Sequence, residues 1–126
     1  MRGQRKVTIR KTILVAEDDE MVRELLGEML TEHFTLLVGC NGAEAMRLYD
    51  THAAQLCGVI TDWRMPEKNG SAVVAHIRRH NVEIPILVMS GDLDEREAER
   101  LQAQGKVGIL RKPFSSSELL ATIVGW

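Results

Sequence analysis

Acidic side chains end two apolar segments of this 126-residue chain. The first segment, residues 12–16, is apolar from Ile13 to Ala16 and is followed directly by Glu17 and Asp18. The second segment, residues 57–61, is followed directly by Asp62. An aspartate at such a position can act as a nucleophile, because Asp carboxylates are among the side chains that accept a phosphoryl group covalently. Taken alone, however, an aspartate after a strand more often turns or caps the chain.

Two further polar residues follow apolar runs and favour the chemical interpretation. Ser90 ends the run over residues 84–89, and Lys112 follows the run over residues 107–110. Clustered carboxylates repel one another unless a cation neutralises them, and oxygen ligands with open positions suit Mg²⁺. Ser90 could donate a hydrogen bond to a transferred group, and Lys112 could pair with its charge. These five residues predict Mg²⁺-dependent phosphoryl transfer to Asp62.

The elements that must bring these residues together alternate along the chain. Continuous apolar runs predict buried strands at residues 12–16, 34–38, 57–61, 84–90 and 107–110. Segments of helical periodicity separate them, including residues 71–80 and 92–104, and Asn41 with Glu44 and Ser115 with Glu118 resemble capping boxes. Five strand–helix units predict a three-layer α/β/α fold with a five-stranded parallel sheet, doubly wound and flavodoxin-like, in the order 2-1-3-4-5.

The bulk composition limits the classes of function. Five of the 16 basic residues fall within residues 1–11, which hold no acid, so the remainder is acidic and does not favour a nucleic-acid-binding face. We expect residues 1–11 to be a flexible basic leader and residues 12–126 to form one domain. The apolar runs are too short for membrane insertion and no signal peptide is evident, which predicts a cytoplasmic protein. Cys40 and Cys57 are interpreted as buried thiols.

Four sequence signatures, in this order, resemble the receiver domain of bacterial two-component response regulators of the chemotaxis single-domain kind. They are ILVAEDD, TDWRMPEKNG, ILVMSG and RKPF, and the resemblance extends from Lys11 to Trp126. It implies that Asp62 accepts phosphate from a histidine kinase or a phosphotransfer protein. It also implies that the chain catalyses only its own phosphorylation and dephosphorylation and is not an enzyme acting on another substrate.

The same resemblance implies roles for individual residues. Asp18 would coordinate Mg²⁺ directly and Glu17 partly through water, with Asp62 and the backbone carbonyl of Arg64 as further ligands. Ser90 stands at the hydroxyl position that responds to phosphorylation, and Lys112 at the lysine of the motif. A cis peptide bond before the proline that follows Lys112 is also implied.

Two departures from the family pattern bear on how a signal is transmitted. Ile109 occupies the place, three residues before Lys112, where the family usually has an aromatic or histidine switch, and Lys106 follows Gly105 where a small residue is common. We therefore hypothesise that the backbone after Ser90 and the fourth helix carry the signal to the surface formed by the fourth helix, fifth strand and fifth helix.

Several alternatives stay open or are disfavoured. A Mg²⁺-dependent phosphatase would need a second acid two residues after Asp62, where Arg64 stands. An inactive receiver-like scaffold would lack one of the acids or the lysine, and all of them are present. A flavodoxin-type binder would need a glycine- or hydroxyl-rich phosphate loop after the first strand, which this sequence lacks. The kinase, the downstream partner, a homodimer and the extent of the parent protein are left open. Trp63 is interpreted as a partly exposed loop aromatic, and no metal-binding histidine is predicted.

Overall fold

The computed structural model describes residues 10–126, and the expected leader lies largely outside that range. The strands are β1 (Lys11–Ala16), β2 (Phe34–Gly39), β3 (Leu56–Asp62), β4 (Ile86–Ser90) and β5 (Val107–Arg111). The helices are α1 (Glu20–Leu30), α2 (Gly42–His52), α3 (Gly70–His80), α4 (Glu95–Gln102) and α5 (Ser116–Ile123), with a short 3₁₀ turn at Ala53–Gln55. That residues 1–11 form a separate leader stays a prediction, although Lys11 already belongs to β1.

All strands pair in parallel, in the order β2-β1-β3-β4-β5, which confirms the predicted topology. Successive residues of a strand point to opposite faces, so the sheet separates two apolar layers. Ile13 and Val15 pack with residues of α1 and α5, such as Leu26 and Leu119. The opposite face packs against α2, α3 and α4. The chain therefore forms the three-layer α/β/α arrangement that the sequence predicts.

Helix α4 is shorter than the sequence pattern indicates, because it begins at Glu95 and not at Asp92. Asp94 is its N-cap, with its carboxylate accepting from the amide of Glu97 at 2.8 Å. The amides of Asp92 and Leu93 instead donate to the hydroxyl of Ser90, at 3.1 and 2.9 Å. A local side-chain acceptor thus holds these two residues in a loop that a periodicity argument assigned to the helix.

The remaining boundaries agree with the predictions to within about two residues, the usual scatter of helix and strand ends. Strand β4 begins after Pro85, at Ile86, whereas the apolar run begins at Ile84. The capping box of α5 is present, with reciprocal bonds between Ser115 and Glu118. At α2 the side chain of Asn41 accepts from the amide of Glu44, as expected. The carboxylate of Glu44, however, accepts from the amide of Cys40 and not from that of Asn41, so the reciprocal bond of a capping box is not formed.

Candidate functional site

The site lies at the carboxyl edge of the sheet, where Asp62 is the last residue of β3. Strand β3 is central, and its pairing with β4 sets Asp62 opposite Met89. The side chain of Asp62 is 11% exposed, so it is largely buried but not fully closed off from solvent. Its Oδ1 accepts a hydrogen bond from the amide of Trp63 at 2.9 Å. A buried central strand therefore presents one partly accessible carboxylate, as the sequence predicts.

Trp63 is buried, with 8% of its surface exposed, and the prediction of a partly exposed loop aromatic is wrong. Its ring belongs to the apolar layer between the sheet and helices α2 to α4. Its amide also donates to the carbonyl of Met89 at 2.9 Å, and its carbonyl accepts from the amide of Gly70 at 2.8 Å. These contacts fix the backbone immediately after Asp62, so the ring anchors the loop.

Gly70 allows this loop to fold back onto the end of β3. A Cβ atom at this position would lie 2.4 Å from the carbonyl oxygen of Asp62 and 3.1 Å from the Cα of Trp63. Both are backbone atoms, which cannot move aside as a flexible side chain can. Asn69 caps α3 by accepting from the amide of Ala72 at 3.1 Å. The start of α3 is thereby packed directly against the site.

Two acids from the loop after β1 join Asp62. One carboxylate oxygen from each of Glu17, Asp18 and Asp62 lies within 4.8 Å of the others. Glu17 is fully buried, whereas Asp18 is exposed. The pKa of Glu17 is raised to about 8, mainly by burial and also by the hydrogen bond and charge of Asp62, against the opposing charge of Lys112. Glu17 is therefore a carboxylate whose charge is poorly compensated by the protein alone.

Lys112 reaches into this acidic cluster from the end of β5. Its Nζ lies 3.3 Å from Oδ2 of Asp62 and 3.5 Å from Oε1 of Glu17. Burial alone would lower the pKa of Lys112, but the charges of Asp62 and Glu17 and its hydrogen bonds to them raise it. Its amide donates to the carbonyl of Ser90 at 2.8 Å, and the peptide bond to Pro113 is cis, as the resemblance implies. The ammonium group is thus held beside the nucleophile candidate.

Ser90 is buried, with 2% exposed, and its hydroxyl is already engaged. It donates to Oδ1 of Asp92 at 3.2 Å while accepting the two amides described above. The other carboxylate oxygen of Asp92 pairs with Nε of Arg64. The Arg64 guanidinium holds the pKa of Asp92 below its usual range. The side-chain contacts from Arg64 to Asp92 and from Asp92 to Ser90 thus join the loops after β3 and β4 across the site.

Sequence reasoning named Arg64 only for its backbone carbonyl and for the absence of a second acid at its position, and it missed the pairing of Arg64 with Asp92. A basic and an acidic residue at matching offsets after neighbouring strands were the available signal. The side chain of Arg64 points to Asp92, and metal coordination by its backbone carbonyl stays a prediction.

Ile109 is partly buried against the apolar layer that contains α4. Lys106 is exposed, has a φ of +53°, and pairs with Glu83 at 2.8 Å.

The donor set fits a small, hard divalent cation. Carboxylate oxygens from Glu17, Asp18 and Asp62 converge, and oxygen is the ligand that Mg²⁺ prefers. The raised pKa of Glu17 points the same way, since a divalent cation would stabilise the ionised carboxylate. Imidazole and thiolate groups, which softer metals prefer, are absent from this cluster within the described residues.

Other predictions concern the surface. Among residues 10–126, no helix is both long enough and apolar enough to cross a membrane. Cys57 is partly buried and burial raises the pKa of its thiol, but Cys40 is exposed, so the prediction of two buried thiols is wrong for Cys40. Both cysteines are free.

Known proteins resemble this chain over most of its length. It is 33% identical over 117 residues to the transcriptional regulatory protein PdtaR of Mycobacterium tuberculosis, covering 91% of this chain and 56% of that protein. It is 29% identical over 115 residues to the sensor kinase CckA of Brucella abortus, covering 89% of this chain and 12% of that protein. The chain thus spans less than two thirds of either relative.

Among solved structures, the fold is similar to the chemotaxis protein CheY4 of Vibrio cholerae. The TM-score is 0.82 at 24% sequence identity, covering 90% of this chain and 96% of that one. The model of the response regulator receiver domain family matches residues 13–124. With the parallel sheet, the acidic cluster beside Asp62 and the neighbouring Lys112, this match establishes that the chain belongs to the receiver domain family, the phosphoacceptor domains of two-component systems.

Proposed function

We propose that Asp62 is the phosphoacceptor of this receiver domain and that its phosphorylation depends on Mg²⁺. The observation that carries the proposal is the convergence on Asp62 of two further carboxylates and one ammonium group. Nζ of Lys112 lies 3.3 Å from Oδ2 of Asp62, and Glu17 and Asp18 complete the acidic cluster. The Asp62 side chain is 11% exposed, so an incoming phosphoryl group has access to it.

The transfer forms one bond and breaks one. An Asp62 carboxylate oxygen attacks the phosphorus of a phosphohistidine, the P–N bond breaks, and its electron pair returns to the imidazole nitrogen of the donor. Mg²⁺, when bound by Glu17, Asp18, Asp62 and the Arg64 carbonyl, supplies charge neutralisation between carboxylates and phosphoryl oxygens. Hydrolysis reverses the covalent state, since water attacks phosphorus and the P–O bond to Asp62 breaks.

Lys112 and Ser90 have distinct tasks in this proposal. The Lys112 ammonium already neighbours Asp62, so it can pair with phosphoryl oxygens without a large movement. The Ser90 hydroxyl donates to Asp92 in this structure and must leave that acceptor to donate to a phosphoryl oxygen. Phosphorylation therefore competes directly with the Ser90–Asp92 hydrogen bond.

This competition suggests how the signal reaches the surface of α4, β5 and α5. If the Ser90 hydroxyl moves, the amides of Asp92 and Leu93 lose their acceptor, and the segment leading into α4 must rearrange. The Leu93 carbonyl accepts from Arg111 of β5 at 2.7 Å, so the same rearrangement reaches β5. Ile109 needs no ring flip in this route, because the backbone after Ser90 carries the change.

Helix α4 is suited to such a shift because few of its side chains are buried. Only Ala98 and Leu101 of α4 are buried, together with Leu93 just before it. A helix with so small an apolar contact needs little free energy to change position. Amide chemical shifts between Ser90 and Leu110 should therefore change when a phosphoryl mimic is added with Mg²⁺. Unchanged shifts across this segment would refute the proposed route.

The phosphodonor is proposed to be a histidine kinase or phosphotransfer protein that contacts the apolar groove beside Lys112. This groove, of about 450 Å³, lies between α1 and the loop after β5 and is lined by Val22, Leu25, Leu26, Met29, Lys112, Pro113 and Phe114. Leu25 is 50% exposed, a large apolar side chain facing solvent. Because Lys112 borders both the groove and the Asp62 carboxylate, a protein seated here would bring its phosphohistidine close to the nucleophile.

Acetyl phosphate with Mg²⁺ separates the chemistry from donor docking. The wild-type protein should gain the mass of one phosphoryl group, and Asp62→Asn should gain none. Asp94→Asn is the matched control, since Asn caps a helix as well as Asp and the α4 cap would be retained. Incorporation that persists in Asp62→Asn would remove Asp62 from its proposed role.

Docking is tested with a panel of purified, autophosphorylated histidine kinases. Leu25→Lys should slow transfer from the active donor and leave the rate from acetyl phosphate unchanged, because only the protein donor needs the groove. Equal transfer from the kinase to Leu25→Lys and to wild type would count against the groove as the donor surface.

A further inference from the structure

A second cluster of metal-ligating side chains lies outside the phosphorylation site. His76 and His80 are four residues apart on α3 and so share one face of that helix. Asp50 belongs to the last part of the neighbouring helix α2. One carboxylate oxygen of Asp50 and one ring nitrogen of each histidine lie within 4.8 Å of one another. Three potential ligands from two helices therefore converge.

The individual contacts are close to what one metal ion would require. Nε2 of His76 lies 2.6 Å from Oδ1 of Asp50. Two ligand atoms about 2.0–2.1 Å from a tetrahedral metal lie roughly 3.3 Å apart, so small side-chain rotations would admit an ion between them. The rings of His76 and His80 lie 5.4 Å apart between centroids, at 65°. The second histidine therefore neighbours the first without stacking on it.

An ion pair between Asp50 and His76 is the simpler interpretation of the 2.6 Å contact. It accounts for two of the three residues but gives no reason for His80 to lie beside them. The cluster also has a fixed and an accessible part: His76 is 15% exposed, and the ring of buried Tyr49 packs edge-on against it at 6.1 Å. Asp50 and His80 are exposed and line an open cleft of about 460 Å³. Water can therefore reach any ligand position that the protein leaves open.

The donor types select a different metal from that of the acidic cluster. Imidazole nitrogen suits Zn²⁺, Cu²⁺ and Ni²⁺, whereas a site of oxygen ligands alone suits Mg²⁺. Two imidazoles and one carboxylate, with the last position left to water, form a common arrangement for Zn²⁺. We propose that Asp50, His76 and His80 form a site for a divalent transition metal of the Zn²⁺ type, which cross-links α2 to α3.

The site is separate from the phosphorylation site in the fold. Helix α3 begins beside Asp62, where Gly70 packs on the end of β3, and His80 is its last residue. The metal would therefore bind at the far end of α3, towards the amino edge of the sheet. The proposal does not depend on the role assigned to Asp62.

The test is a calorimetric titration of Zn²⁺ into the full chain, without an affinity tag and with Mg²⁺ present in excess. We expect one Zn²⁺ per chain for wild type. The exposed ligand variant His80→Ala should bind Zn²⁺ at least about tenfold more weakly, because one of three protein ligands is lost. The matched control is His33→Ala, which removes an exposed histidine outside the cluster and should not change the affinity.

Two further measurements identify the ligands. Asp50→Asn should also weaken binding, and unchanged affinity in that variant would overturn the three-ligand site. Substituting Co²⁺ should give visible absorption without a thiolate charge-transfer band, since Cys40 and Cys57 are not ligands in this proposal. Equal Zn²⁺ affinity for wild type, His80→Ala and His33→Ala would overturn the proposal, as would binding that is lost only in Cys40→Ser. Melting curves in EDTA verify that each variant is folded.

Discussion

The molecule holds two clusters of possible metal ligands, and they differ in how the fold supports them. The acidic cluster of Glu17, Asp18 and Asp62 uses oxygen ligands that follow two central strands, and two of its members are buried. The histidine cluster of Asp50, His76 and His80 uses two helices, and two of its members are exposed. The acidic cluster is positioned by backbone pairing between neighbouring strands, whereas the histidine cluster depends on the packing of α2 against α3.

This difference has consequences for charge. In the acidic cluster, buried carboxylates repel each other, and Lys112 compensates only in part, as the raised pKa of Glu17 indicates. In the histidine cluster, Asp50 can pair with His76 in the absence of metal, and most of the carboxylate is in water. The acidic cluster therefore gains more from a cation than the histidine cluster does. The four predictions below test this contrast.

The largest effect is expected from Gly70→Ala, which tests whether backbone packing fixes the acidic cluster. The added Cβ would lie 2.4 Å from the carbonyl oxygen of Asp62, so the start of α3 must move. We expect the free energy of unfolding to fall by roughly 3 kcal/mol in urea denaturation. Gly91→Ala is the matched control at the same edge, because its Cβ would lie 3.8 Å from the Lys112 side chain. Equal stability of the two variants would contradict the packing argument.

The second prediction concerns the pH dependence of the metal-free protein. The pKa of Glu17 rises from 4.5 to about 8 on folding, so the folded state binds this proton more tightly. The stabilisation from that proton is complete below about pH 4.5 and is lost as the pH rises through 8. In EDTA, Glu17→Gln should remove this decline and be more stable than wild type near pH 8, by on the order of 2 kcal/mol.

Urea denaturation at several pH values measures this difference. The exposed residue Glu24 provides the control, and Glu24→Gln should follow the wild-type pH profile. Mg²⁺ should restore stability to wild type more than to Glu17→Gln, since the cation acts on the same charge. A wild-type profile that stays flat from pH 4.5 to 8 in EDTA would show that the buried charge is compensated in another way.

The third prediction asks whether the two clusters select different metals. Asp18→Asn should weaken Mg²⁺ binding at least about tenfold, because the carboxylate proposed as a direct ligand loses its charge. Zn²⁺ binding at the histidine cluster should not change. Asp19→Asn is a close control, since Asp19 is the N-cap of α1 and Asn caps equally well. Calorimetric titrations with each metal measure both constants. Parallel losses for Mg²⁺ and Zn²⁺ would mean that one site binds both ions.

Much of the acidic cluster could be predicted from sequence, because its members directly follow apolar runs. Parallel strands bring such positions to one edge of the sheet, so the proximity of Glu17, Asp62 and Lys112 could be predicted from the sequence alone. The histidine cluster could not be found in this way. The spacing of His76 and His80 was visible, but Asp50 lies 26 residues before His76, and only the packing of α2 on α3 brings them together.

Two errors near the site have the same physical origin. The interpretation of Trp63 as exposed treated the loop as a separate element, whereas the ring packs into the layer under α2 to α4. The early start assigned to α4 followed helical periodicity, although the Ser90 hydroxyl takes the amides of Asp92 and Leu93. In both cases a tertiary or local side-chain contact decides the conformation, and periodicity does not report such contacts.

The smallest effect is expected from the exposed pair of Arg64 and Asp92, which bridges two loops over the acidic cluster. Exposed ion pairs add little stability, so Asp92→Ala should leave the melting temperature nearly unchanged. The variant removes the acceptor of the Ser90 hydroxyl and frees that group for a phosphoryl oxygen. We expect phosphorylation by acetyl phosphate to be about fivefold faster, the effect of roughly one hydrogen bond. In a Ser90→Ala background, Asp92→Ala should have no effect on the phosphorylation rate, because the hydrogen bond between the two side chains is already absent. The same acceleration in both backgrounds would mean that Asp92 acts on the site by a route other than Ser90.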